Sequence, residues 1–170
     1  MSRFVAFVAI VAALIMSPAA RPAAADPASA EAEFVQRINA LRADKGLAPL
    51  GVDPELTAIA RRWSARMADD GELSHNPNLG NEAQGWRMLG ENVGVGPTVE
   101  SIHRAFVNSP QHYENLVEPA FTLIGVGVVE RDGQIWVTED FKQPRAARAA
   151  PAPAPAPRPA PAAAPAPAPR

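Results

Sequence analysis

Apolar positions along the middle of the chain recur with the period of amphipathic helices, and near its end they close up into strand-like runs. Phe34, Ile38 and Leu41 fall at i, i+4 and i+7, with Gly46 as a stop. Asp53, Pro54 and Glu55 read as cap, first helical residue and acidic first turn. They open a helix whose apolar stripe is Leu56, Ile59, Ala60, Trp63 and Met67, closed by Asp69-Asp70-Gly71. Val99, Ile102 and Phe106 place a third helix after Thr98. Ser109-Pro110 then starts a short fourth helix over Gln111 to Val117, with Ser109 as its cap. Phe121 to Val129 and Gln134 to Phe141 read as strands joined through Asp132-Gly133, a hairpin signal. A further short strand is expected over Asn92 to Val95. Helices first and an antiparallel hairpin last predict an α+β domain, a sheet covered by helices. Between the second and third helices, Leu73 to Gly96 is glycine-rich and reads as a long loop, the kind that is usually functional or disordered.

The two ends depart from this pattern. Residues 1–25 carry Arg3, an apolar run from Phe4 to Met16 and Ala23-Ala24-Ala25, the layout of a cleaved secretory signal. The run is too short to span a bilayer comfortably, which takes about 20 residues. Residues 144–170 are Pro/Ala repeat, which has no side chains to build a core and is expected to form an extended spacer. A domain over 26–143 remains between them. The net charge of −2 hides a basic start (+2), an acidic body over 26–141 (−9) and a basic tail (+5). Such a body repels polyanions, so nucleic-acid binding is excluded as a leading class. The absence of cysteine excludes a disulfide scaffold, Cys-ligated metal and a thiol nucleophile.

The chemistry available is narrow. The three histidines are His75, just past the second helix; His103, beside the third helix's apolar stripe; and His112, in the first turn of the fourth. Two imidazoles, His75 and His112, with the Glu91 carboxylate are the ligand types of an open zinc site, although their spacing matches no compact metal motif. His103 is given no function. No GxSxG is present, and Ser109 is explained as a cap, so serine hydrolysis is rejected. For a retaining glycosidase, Glu91 has three possible partners, Glu72, Glu82 and Glu114, and no pairing is favoured.

Taken in order, Ile38-Asn39-Ala40-Leu41-Arg42, Ala60 to Ala68, Ser74-His75, Gly90-Glu91-Asn92-Val93, Asn108 to Leu116 and Phe121 to Gly127 resemble the CAP superfamily. This superfamily, or SCP domain, comprises cysteine-rich secretory proteins, venom allergens and plant pathogenesis-related proteins, and the likeness is to its short bacterial branch. It holds from about residue 30 to 141. The resemblance implies a three-layer α-β-α sandwich with a small antiparallel sheet and a central cleft. His75, Glu91 and His112 would be cleft and metal residues, with Ser109 and Asn92 beside them. The second glutamate of animal and plant members maps near Ser109 and is absent here. The family has no shared reaction. The expectation is therefore a secreted, monomeric, non-enzymatic module that binds a small, lipid-like or cell-wall ligand, with zinc as a possible divalent cofactor. A metal-assisted hydrolase and an envelope adaptor acting through the Pro/Ala tail are the alternatives.

Overall fold

A computed structural model describes residues 26–145; the expected signal over 1–25 and the repeat beyond Arg145 lie outside the described residues. The elements are α1 (Pro27–Asp44), β1 (Gly51–Val52), α2 (Pro54–Asp70), α3 (Leu79–Glu82), β2 (Trp86–Gly96), α4 (Val99–Asn108), α5 (Pro110–Val117), β3 (Leu123–Arg131) and β4 (Gln134–Pro144). The strands form one sheet in the order β1-β3-β4-β2. β2 and β3 both run antiparallel to β4, while β1 runs parallel to β3. The sheet is thus mixed, not wholly antiparallel, because the two-residue β1 reaches the far edge of β3 directly after α1.

Strand alternation sorts the layers. On one face Val137 and Phe141 of β4 and Ile124, Val126 and Val128 of β3 pack under α1, α4 and α5 with Phe34, Ile38, Ile102, Phe106 and Leu116. On the other face lies α2, whose Leu56 and Ile59 join Leu79 and Ala83 in a smaller cluster. A Cβ on Gly125 or Gly127 would run into the backbone of α2 at Leu56-Thr57 or Ala60-Arg61, so glycine lets the helix lie directly on β3. The result is the expected three-layer α-β-α sandwich.

The expected cap of α2 is confirmed: Asp53 accepts from the Glu55 and Leu56 amides, and Gly71 closes the helix in the left-handed region at φ 68°. Its expected stripe needs one change. Ser64 is fully buried, bonding the Gly127 carbonyl and Thr138 Oγ1, whereas Trp63 is half-buried and donates from Nε1 to the Ser74 carbonyl.

The long loop is the main correction. Leu73 to Gly96 contains α3 and an eleven-residue strand, β2. The glycines that suggested loop are there because helices lie on the strand. A Cβ at Gly94 would come within 2.7 Å of Phe106, and one at Gly90 within 2.6 Å of Asn115 Oδ1. The hairpin turn is as expected, with Asp132 and Gly133 at φ 53° and 73°. At the opposite end of β4, Arg145 donates its amide to the Gly85 carbonyl, so the chain leaves the domain beside the start of β2.

Buried Arg42 ties α1 to the turn after α5. It is 1% exposed, and its guanidinium donates to the carbonyls of Ala48, Leu116, Glu118 and Phe121 at 2.9–3.1 Å.

Candidate functional site

The candidate residues gather along β2, an edge strand of the described sheet. Alternation turns Glu91 towards the α2 face and Asn92 towards α5. Glu91 is nearly covered, its side chain 7% exposed, and it accepts from His75 Nδ1 at 2.7 Å and the Asn76 amide at 2.9 Å. Burial raises its pKa, while the Asn76 amide and His75 pull it back. His75 itself is exposed, on the segment that follows α2.

His112 comes from the other side of the strand, on the first turn of α5. Its Nδ1 sits 2.8 Å from Ser109 Oγ, and its ring stacks at a tilt on Phe106 with centroids 4.8 Å apart. Ser109 does occupy the N-cap position, but its side chain makes no cap bond; the hydroxyl is held by His112 instead. The pKa of His112 is lowered, first by burial and then by the charge on His75.

The structure thus joins His75 to Glu91 and His112 to Ser109. Asn92 is fully buried and bonds Glu139 and the His112 carbonyl. His103 stands apart on α4, its pKa lowered by burial and by Arg37.

A groove of about 460 Å³ takes in Ser109 and His112, but not His75 or Glu91, among its lining residues. Val93, Gly94 and Val95 of β2, Ile102, Ala105 and Phe106 of α4, and Ser109 and His112 line it. Val95 and Leu73, two of the large apolar side chains exposed among the described residues, also line it. Sequence reading missed this groove because α4's contribution to it depends on how the helix sits over Gly94 and Gly96. It also missed two buried acids, Glu139 and Asp140, whose pKa values burial pushes up to about 8. Adjacent acids in a strand run leave no trace in the apolar pattern.

A metal would have to be held by what is here. Among the described residues no three His, Asp or Glu side chains converge as a metal site. The Glu91 carboxylate is engaged by His75 and Asn76, so the ring atoms left over are Nε2 of His75 and Nε2 of His112. Two imidazoles fall short of the three or four protein ligands of a zinc centre. A carboxylate behind an imidazole is, however, the arrangement that orients a metal-binding histidine.

Residues 35–141 match the family model described as the cysteine-rich secretory protein family, CAP. Protein YkwD of Bacillus subtilis (strain 168), described as uncharacterized, is 36% identical over 118 residues, covering 64% of this chain and 46% of its own. Among solved structures, an extracellular SCP-domain protein of Bacillus anthracis str. Ames superimposes with a TM-score of 0.63 at 25% identity. That match covers 73% of this chain and 45% of the other. NaASP2, solved with Zn2+, gives a TM-score of 0.52 at 16% identity, covering 66% of this chain and 78% of NaASP2. The chain spans less than half the length of the two Bacillus proteins. No helix among the described residues is long and apolar enough to cross a membrane.

Proposed function

The chain belongs to the CAP family of cysteine-rich secretory proteins, and on that premise we propose that it is an extracellular, non-enzymatic binding module for an amphiphilic ligand. The apolar part of the ligand lies in the groove between β2 and α4, and its polar end meets Ser109, His112 and the His75–Glu91 pair. The observation that carries this reading is the groove itself: a mainly apolar channel of about 460 Å³ whose lining includes the Ser109 hydroxyl and the His112 imidazole. Ligand sites are commonly apolar hollows of that size with a few convergent polar groups. Each methylene removed from water there is worth about 0.8 kcal/mol. An extracellular location accords with the signal pattern over 1–25 and with the description of the Bacillus anthracis relative.

Zinc is accommodated in this reading as a two-imidazole contact through the Nε2 atoms of His75 and His112, completed by the ligand or by solvent. Glu91 orients His75 and does not bind the ion. Such a site holds zinc weakly and serves to anchor a polar head.

The test is a titration of a fluorescent long-chain fatty acid, with and without zinc chloride. Wild-type protein is expected to bind saturably. Ala105→Trp fills the groove from an exposed position on α4 and should abolish binding without lowering stability. His112→Ala should weaken it and remove any effect of zinc. Binding that survives Ala105→Trp, or no saturable binding at all, would overturn the reading.

A further inference from the structure

Beneath the cleft runs a chain of polar side chains at whose centre two residues are wholly covered. Asn92, on β2, donates from Nδ2 to Glu139 Oε2 at 3.1 Å and to the His112 carbonyl at 3.3 Å. Asn115, on α5, donates from Nδ2 to Asn92 Oδ1 at 3.0 Å and to the Glu91 carbonyl at 3.1 Å. Asn92 and Glu139 are 0% exposed, and Glu139 Oε1 has no hydrogen-bond partner among the described residues.

Each asparagine reaches across the gap between β2 and α5, one from each side, and each contacts the backbone of a candidate site residue. An amide has its donor and acceptor on fixed sides, so the pair is satisfied in one register only. The strand makes room for it, since a side chain at Gly90 would come within 2.6 Å of Asn115 Oδ1. Burying such a network is not an efficient way to gain stability, because apolar residues of similar shape often serve as well or better. Its distinctive effect is to lock a helix at one height and rotation on a strand.

We infer that Asn92, Asn115 and Glu139 are positioning residues that hold α5, and with it His112 and Ser109, at a fixed offset from Glu91 and His75. Glu139 anchors the network to β4, the central partner of β2, and Asn92 carries that restraint to α5. The inference rests on the proposed cleft, whose ligand must meet both halves of the site at once.

The absence of cysteine allows a direct test. Arg87→Cys on β2 and Glu114→Cys on α5 place spin labels at two exposed positions, and pulsed electron paramagnetic resonance reads the distance between them without any ligand. Asn115→Ala in that background should broaden or shift the distance distribution. In the unlabelled chain it should weaken fatty-acid binding roughly tenfold, the scale on which supporting residues act on a site. Should Asn92→Ala fail to fold, Asn92→Leu with Glu139→Leu replaces the network by hydrocarbon and should show the same loosening in a stable protein. Ser64→Ala removes a buried hydrogen bond on the opposite face of the sheet and should leave both readouts unchanged while lowering the melting temperature. A wild-type distance distribution in Asn115→Ala and in the double-leucine variant would overturn the inference. Absence of fatty-acid binding by the wild type would overturn the proposed function alone, because the distance measurement still decides this one.

Discussion

Replacing Arg42 by methionine keeps the length and most of the volume of the side chain and removes every donor. In the folded protein four carbonyl oxygens would lose a partner at once: Ala48 after α1, Leu116 and Glu118 around the end of α5, and Phe121 before β3. A hydrogen bond from a charged donor contributes about 1.5–3 kcal/mol net. The four do not add, because the guanidinium also gave up its hydration on burial, which lowers its pKa although arginine stays charged. Carbonyls near the surface would recover water. A buried acceptor left unpaired costs about 1–3 kcal/mol, and the bonds to Leu116 and Phe121 are buried, so a loss of about 2–6 kcal/mol is expected. It is a large share of the roughly 5–15 kcal/mol available to a domain. Urea unfolding followed by the fluorescence of Trp63, Trp86 and Trp136 should show the midpoint falling with an unchanged slope. Arg42→Lys keeps the charge but not the planar fork and should lose more than half as much. A loss below about 1 kcal/mol for the methionine variant would show that water replaces the guanidinium at little cost, and the reasoning would fail.

The buried acids set a pH dependence. Glu139 and Asp140 have folded pKa values of about 8, above their unfolded values of 4.5 and 3.8. Their stabilising effect is complete below the unfolded values and is lost as pH rises towards and through 8. His103 and His112 are shifted down, so their contribution is lost as pH falls below 6.5. The melting temperature should therefore peak on the acid side of neutrality, fall up to about pH 8 and level off above it. Glu139→Gln should flatten the alkaline limb, and an equally steep fall in that variant would remove Glu139 as a cause. Gly127→Ala puts a methyl group into the backbone of α2 at Ala60-Arg61 and should cost about 3 kcal/mol or more, read by the same urea melts; near-wild-type stability would mean that α2 can lift off β3 freely.

Where local chemistry decides, the sequence was readable. The Asp53-Pro54 start of α2, the Thr98 start of α4 and the Asp132-Gly133 turn each rest on neighbours in the chain, and each is found. From sequence β2 reads mostly as loop, because its glycines answer to Phe106 and Asn115, residues distant in sequence that only packing brings near. The same limit applies at the site. His75, Glu91 and His112 were singled out from their chemistry and family motifs, and the structure pairs two of them directly. That Asn92 would face inward to Glu139 depends on which side of β2 it occupies. A one-residue difference in strand register would reverse it.

The exit of the chain beside Gly85 gives the domain two poles. β2 starts at that exit and, ten residues later, ends in the wall of the groove, about 33 Å away at the usual rise per strand residue. Whatever is attached through residue 145, whether a bead, a sensor chip or a cell surface, pulls on the pole remote from the mouth. The molecule would then stand with its opening turned outward, and cargo could enter or leave without the tether crossing its path.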